Sequence, residues 1–250
     1  METLFTGQNH IKIAQCDSVN TYAIDLIKNL ELPEGTLISA NIQSNGKGQG
    51  TNKWYSEPGM NVTSSIIYKP KFIELENFFL LSMTVSLGLH DLVTCLLDSK
   101  HDIKIKWPND ILVNDKKISG ILIENLIRAD SVINSVIGIG LNVNQINFHK
   151  EVNNATSIKL LTNINFSIDE ILGRLCTSIE KWYLRLKYGD RIELKNEYLS
   201  RLYLLNTENV FYDKHGKFFE GIIKDVGYDG KIHVKVKENI LKFGNKELIF

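Results

Sequence analysis

The chain has 250 residues, of which 43% are hydrophobic and 23% charged, and its 29 lysines and arginines balance its 29 aspartates and glutamates. That composition suits a soluble globular protein with one large domain and a small one. With no net charge, no global field draws it onto nucleic acid or a membrane surface.

The opening METLFTGQNHIKIAQ has no basic stretch followed by an apolar one, so a signal peptide is not expected. No apolar run approaches the roughly 18 residues that a membrane span needs. Cys16, Cys95 and Cys176 are odd in number, far apart and free of any C-x-x-C, and the six histidines are scattered. Reduced thiols in the cytoplasm are therefore expected, with no disulfide framework and no protein-bound metal.

Asp17 or Ser18 can cap a helix whose apolar face is Tyr22, Ala23, Leu26, Ile27 and Leu30. After Pro33-Glu34-Gly35, Thr36 to Gln43 reads as a strand feeding a glycine-rich loop, and Asn61 to Lys69 as a second strand. Leu75 to Leu97 is one long, mostly apolar helix, hence buried on several sides. Ile103 to Trp107 alternates like a strand. Ile111 to Asn114, a turn at Asp115-Lys116, and Lys117 to Ile127 form a hairpin. Ser131 to Val143 is a further β-rich run, with glycines where something can approach the backbone closely. Helical spacing returns from Ile168 to Leu186, and a shorter helix is expected from Ile192 to Leu202.

From Leu205 the pattern changes to short strands with turn residues at Asp213–Gly216 and Tyr228–Gly230. These predict a small β-barrel of about 45 residues docked on the main domain. The expected boundary puts residues 1–204 in an α+β domain, a mixed sheet with segregated helices, and 205–250 in the barrel.

Two stretches carry chemistry. QSNGKGQGTNKW (Gln43–Trp54) alternates Gly46, Gly48 and Gly50 with Lys47 and Gln49, so its backbone N–H groups can form a nest for an anion. It is not a P-loop, and a solvated hairpin loop is the plain alternative. KWPND (Lys106–Asp110) is more specific. Its Asn-Asp pair can simply hold a turn, or Asp110 can orient a lysine or a ligand. Lys117 would then be the cation that neutralises charge on a carboxylate or phosphate. Gly138–Asn142 alone reads as a strand with a glycine bulge, and Ser18 and Asn20 alone as a helix cap.

The order of these pieces resembles the biotin protein ligases, the biotin–[acetyl-CoA-carboxylase] ligase family, over nearly the whole chain from Lys12. The carriers are K-W-P-N-D at Lys106–Asp110, K-x-x-G-I-L-x-E at Lys117–Glu124, and G-x-G-x-N at Gly138–Asn142. Ser18-Val19-Asn20 stands where the family has S-T-N, and GKGQGTNKW where it has G-R-G-R-x-G-R-x-W. The resemblance implies a fold like that of class II aminoacyl-tRNA synthetases and biotin ligases, with an SH3-like C-terminal barrel. It also implies that biotin is activated by ATP with Mg²⁺ and passed to one lysine of a biotin carboxyl carrier protein.

Residue by residue, it implies Ser18, Val19, Asn20 and Gln43 at the ureido end of biotin. Gly46, Lys47, Gly48 and Gln49 would wrap its carboxylate and the phosphates. Lys117, Asp110 and Lys47 would be catalytic, Asp110 orienting Lys117 or the incoming amine. Trp54, Lys47, Asn109 and Asn142 would line the nucleotide side, and the barrel would help Trp54 cover the adenine.

Three departures stand out. Lys47 keeps a charge but lacks the bidentate fork of arginine, Gln49 is neutral, and Val19 cannot hydrogen-bond through its side chain. They predict a loop that orders less tightly over the adenylate. Too few residues precede Ser18 for a winged helix, so no DNA-binding repressor role is expected.

Three alternatives are a lipoate–protein ligase, a module that binds biotinyl-adenylate without transfer, and a nucleic-acid-binding barrel rich in lysine. KWPND followed by K-x-x-G disfavours the first, Asp110 with Lys117 the second, and interleaved acids the third. An exposed strand could pair two protomers into a homodimer or dock the carrier.

Overall fold

The computed structural model describes residues 2–128, 131–150, 152 and 154–250. Its main sheet is built from β1 (His10–Cys16), β2 (Thr36–Gln43), β5 (Val62–Tyr68), β6 (Ile103–Lys106), β7 (Asp110–Val113), β8 (Lys116–Arg128) and β9 (Ser131–Leu141). The two-residue strands β3 (Gly46–Lys47) and β4 (Lys53–Trp54) form a separate hairpin after β2. The order across the main sheet is β1-β2-β5-β9-β8-β7-β6, parallel at β1-β2 and antiparallel elsewhere, which is the expected mixed sheet. The helices are α1 (Val19–Asn29), α2 (Phe79–Leu96), α3 (Ile158–Thr162), α4 (Ile168–Tyr188) and α5 (Arg191–Ser200). Sequence periodicity missed the parallel edge strand β1 and the single-turn α3.

Alternation along β9 decides which face of the sheet does what. Ile137, Ile139 and Leu141 enter the large core with α2, α4 and α5, while Val136 faces α1. Gly138 and Gly140 continue the α1 face, and without side chains they let Asn20 of α1 and Trp54 lie close against the sheet. A cavity opens over it.

Two local readings need correcting. The hairpin turn after β7 falls at Asn114-Asp115, not Asp115-Lys116, because both residues adopt the left-handed conformation (φ 49° and 63°) that a two-residue hairpin demands. The helical stretch Leu75–Leu96, with a mean hydropathy of 1.6, is long and apolar enough to cross a membrane, although no such stretch was expected. Isolated polar residues interrupt its apolar run without lowering the average. Its apolar surface is taken up by the sheet on one side and by α4 and α5 on the other.

The carboxyl-terminal strands β10 (Glu208–Asp213), β11 (Phe218–Val226), β12 (Ile232–Val236), β13 (Asn239–Phe243) and β14 (Leu248–Ile249) form a second, antiparallel sheet ordered β13-β12-β11-β10-β14. Among the described residues no ladder joins β13 to β14, so the sheet is open where the sequence predicts a barrel. Its inner residues Phe211, Ile223, Val226 and Val234 are continuous with the main core. Trp107 Nε1 donates to the Gly230 carbonyl at 2.9 Å and Lys195 Nζ lies 2.8 Å from Asp225 Oδ2, tying the sheet to the KWPND turn and to α5.

Candidate active site

The entrance of α1 positions the first wall. Ser18 is the N-cap residue, but its side chain makes no capping bond; Gln43 Oε1 accepts from Val19 N–H at 2.9 Å in its place. That leaves Gln43 Nε2 as the donor end of its amide. Val19, which departs from the family threonine, packs into an apolar cluster with Ala23, Ile38 and Ala40. Asn20, only 4% exposed, reaches over Gly138, where an added Cβ would fall on its amide.

The glycine-rich loop is an ordered hairpin rather than an open nest. Gly46 and Lys47 pair with Trp54 and Lys53, and Gly48 N–H donates to the Asn52 carbonyl at 2.8 Å. The hairpin lays the Trp54 indole across the sheet. An added Cβ at Gly140 would fall on that ring, and one at Gly120 would lie 3.2 Å from it. Gly120 and Gly140 are direct partners in the β8–β9 ladder, so two strands have lost their side chains at one spot to admit the ring. Trp54 Nε1 is buried with no hydrogen-bond partner among the described residues.

KWPND supplies the second wall, a tight turn with a cis Trp107–Pro108 peptide between β6 and β7. Asn109 Nδ2 donates to the Ile121 carbonyl at 2.8 Å and its own carbonyl accepts from Ile121 N–H at 2.9 Å, so Asn109 finishes the β7–β8 ladder. Asp110 begins β7 and Lys117 is the second residue of β8, one bulge apart. Lys117 Nζ stands 2.7 Å from Asp110 Oδ1 and 5.8 Å from the Trp54 ring centroid. Burial holds the neighbouring Lys106 ammonium below the ordinary lysine range; Asp110 opposes this and Lys117 adds to it.

One cavity therefore brings together Ser18, Val19, Asn20, Gln43, Lys47, Gly48, Gln49, Trp54, Asn109, Asp110 and Lys117. Two expected members lie elsewhere. Gly46 is buried beneath the cavity, against the Gln43 amide and the Trp54 carbonyl. Asn142 is 3% exposed and does not line the cavity; the 154–156 segment crosses above it, and its Nδ2 donates to the Thr156 carbonyl at 3.0 Å. Sequence reasoning missed part of the floor: Thr63 and Ser65 of β5, paired with Gly140 and Gly138, together with Leu122 of β8. Its signal was a run of small polar residues, Thr63-Ser64-Ser65, inside a strand whose other residues are apolar. A second cavity, between the KWPND turn, β8 and the Asp229–Lys231 turn, shares Gln49, Asn109, Ile121 and Leu122 with the first.

In chemical terms the cavity has a cationic end, with Lys47 and Lys117, and a neutral polar end, with Ser18, Asn20, Ser65 and Gln43. A glycine floor joins them. It suits a flat, elongated ligand carrying an anion at one end and hydrogen-bonding groups at the other.

The Bacillus subtilis bifunctional ligase/repressor BirA is 37% identical over 149 residues, 58% of this chain and 43% of that protein. The Paracoccus denitrificans biotin–[acetyl-CoA-carboxylase] ligase is 27% identical over 84% of this chain and 89% of its own. Among solved structures, the Aquifex aeolicus biotin protein ligase in complex with biotin and ATP superposes with a TM-score of 0.79 at 24% identity, over 96% of this chain and 97% of that one. The chain spans less than half the length of the bifunctional relatives it matches. The model of the biotin/lipoate A/B protein ligase family matches residues 13–142, from β1 through the whole glycine floor, and the chain belongs to that family.

Proposed function

We propose that the protein is a biotin–protein ligase. The biotin carboxylate attacks the α-phosphorus of ATP, brought in with Mg²⁺, to give biotinyl-5′-adenylate and pyrophosphate. The ε-amine of a lysine on a carrier domain then attacks the acyl carbon, and AMP leaves. The observation that carries this reading is the neutral polar end of the cavity. The dithiolane of lipoate has no hydrogen-bonding groups for Ser18, Asn20 and Gln43 to meet, whereas the cyclic urea of biotin has a carbonyl and two N–H groups.

Lys47 and Lys117 then face the carboxylate and α-phosphate, where they offset the repulsion between two anions. Asp110 orients Lys117. Trp54 stacks on the adenine, with the 205–250 domain bordering that side through the second cavity. The same cavity gives the carrier lysine a route to Asn109 and the reacting atoms. Pairing of β8 on the β7 side ends with the Asn109–Ile121 bonds, leaving the Leu122–Arg128 half an edge on which a carrier or a second copy of the chain can pair. A carboxylase carrier fits the name of the Paracoccus relative. Cytoplasmic residence fits the free thiols of Cys16, Cys95 and Cys176, the last with its thiol pushed by burial up to about 12.

The test is pyrophosphate release from Mg·ATP with biotin or lipoate, followed by mass analysis of a carrier domain. Biotin-dependent release with a modified carrier lysine is expected; release with lipoate alone would move the protein to the other branch of its family. Gly140→Ala addresses the Trp54 slot. Its added Cβ displaces the indole, so KM for ATP should rise about tenfold with biotin affinity unchanged, about 1.4 kcal/mol of lost stacking. Equal losses for both substrates would place Trp54 elsewhere in the chemistry.

A further inference from the structure

The glutamate that closes K-x-x-G-I-L-I-E has no part in the chemistry above, yet it holds a residue that does. Glu124 Oε2 accepts from Asn20 Nδ2 at 2.9 Å, and the Leu122 carbonyl accepts from the same nitrogen at 3.1 Å. Two acceptors on one side fix which end of the Asn20 amide carries hydrogen. Oδ1 therefore faces Ser65, whose hydroxyl donates to it at 2.6 Å. Ser65 is fully buried and Asn20 nearly so, and both border the cavity.

Proton positions now run one way: the Ser65 O–H points to Asn20, and both Asn20 N–H bonds point to β8. The donors of these two side chains are spent. What remains towards the cavity is the free lone pair of Asn20 Oδ1. The opposite polarity stands across from it, since Gln43 Oε1 is held by Val19 N–H and its Nε2 is the donor.

We infer that the Glu124–Asn20–Ser65 relay makes this wall an acceptor-only surface that selects ligands by an N–H donor, with Glu124 and Ser65 as positioning residues. The inference rests on the biotin reading and deepens it. A cyclic urea brings an N–H to the wall and a carbonyl to Gln43. A ring oxygen at the same place sets lone pair against lone pair, a mismatch that a buried wall cannot relieve with water.

The experiment is calorimetric titration of the whole protein with biotin and with the two cyclic carbamates in which one urea N–H or the other is replaced by oxygen. The wild type should prefer biotin over at least one carbamate by about 10–100-fold. Glu124→Met leaves Asn20 Nδ2 only the Leu122 carbonyl, so its second N–H can turn to the cavity and that preference should shrink to about threefold or less. Glu124→Gln, still an acceptor, should retain most of it; a purely structural role would not sort ligands in this way. Ser65→Ala takes away the hydroxyl that holds Asn20 Oδ1 in place, should also narrow the ratio, and decides the matter if Glu124→Met does not fold. An unchanged ratio in Glu124→Met or Ser65→Ala overturns the relay while leaving the biotin reading intact. A wild type that binds no biotin overturns both.

Discussion

Replacing Lys117 by alanine should lower biotin-dependent pyrophosphate release by about 10²–10³-fold, the usual cost of removing one preorganised group from a developing anion. The expectation follows from where the ammonium is held. Asp110 Oδ1 fixes it at 2.7 Å, β8 supplies a rigid backbone, and the Trp54 face covers it. The side chain is about one-third exposed, so it is screened from bulk water without being sealed away. Biotin affinity should fall far less, because the urea end is bound by Ser18, Asn20 and Gln43 at the opposite end of the cavity. Lys117→Arg should recover only part of the rate: a planar fork cannot occupy the same point between Asp110 and the indole. Quenched-flow measurement of the first turnover reads the step directly. A Lys117→Ala rate within tenfold of wild type would assign the electrostatic role to Lys47 instead.

The walls of this site were legible in the sequence, and part of the floor was not. KWPND and the glycine-lysine stretch are contiguous, chemically unusual segments, so residue type and spacing alone single them out. Ser65 and Gly138 become neighbours only through the β5–β9 ladder, which joins positions far apart in the chain. Read singly, a serine in a strand carries no such message, and the glycines of the Ser131–Val143 run announce a close approach without naming what approaches. Asn142 lies outside this cavity for a similar reason, because the segment that buries it comes from residues 154–156, beyond any motif. The hairpin form of the glycine loop depends on pairing Gly46 with Trp54, and on the slot that Gly120 and Gly140 leave for the ring. Helices α2 and α4 were plain because long apolar periodicity is a local signal. β1 was obscure because a parallel edge strand with one solvated face has neither strict alternation nor a turn to announce it.

Glu180→Ala should destabilise the fold by about 3 kcal/mol, the cost of leaving buried donors unpaired. Glu180 lies on α4, is only 4% exposed, and accepts the backbone N–H groups of Leu4, Phe5 and Thr6 at 2.6, 3.0 and 2.7 Å. It thereby pins the amino-terminal segment, whose Phe5 ring packs edge-on against Tyr68 and Tyr183. Tyr68 ends β5, the strand that also carries Thr63 and Ser65, so the segment braces the back of the cavity floor. Burial alone would raise the Glu180 carboxyl, but the three N–H donors outweigh it and hold the group below its ordinary value of 4.5.

The sign of the pH dependence follows. A carboxyl depressed in the folded state stabilises above its unfolded value, and that contribution is lost as pH falls through the lower folded value. Wild-type stability should therefore drop on acidification from pH 4.5 downwards, and Glu180→Ala should show a shallower acid limb from a lower plateau. Urea unfolding at neutral pH and at successive steps below pH 4.5 measures both quantities. Parallel acid limbs in the two proteins would mean that other carboxylates carry the acid sensitivity. Glu180→Gln, which keeps one acceptor oxygen but no charge, should fall between them at neutral pH and share the shallow limb, separating the hydrogen bonds from the titration.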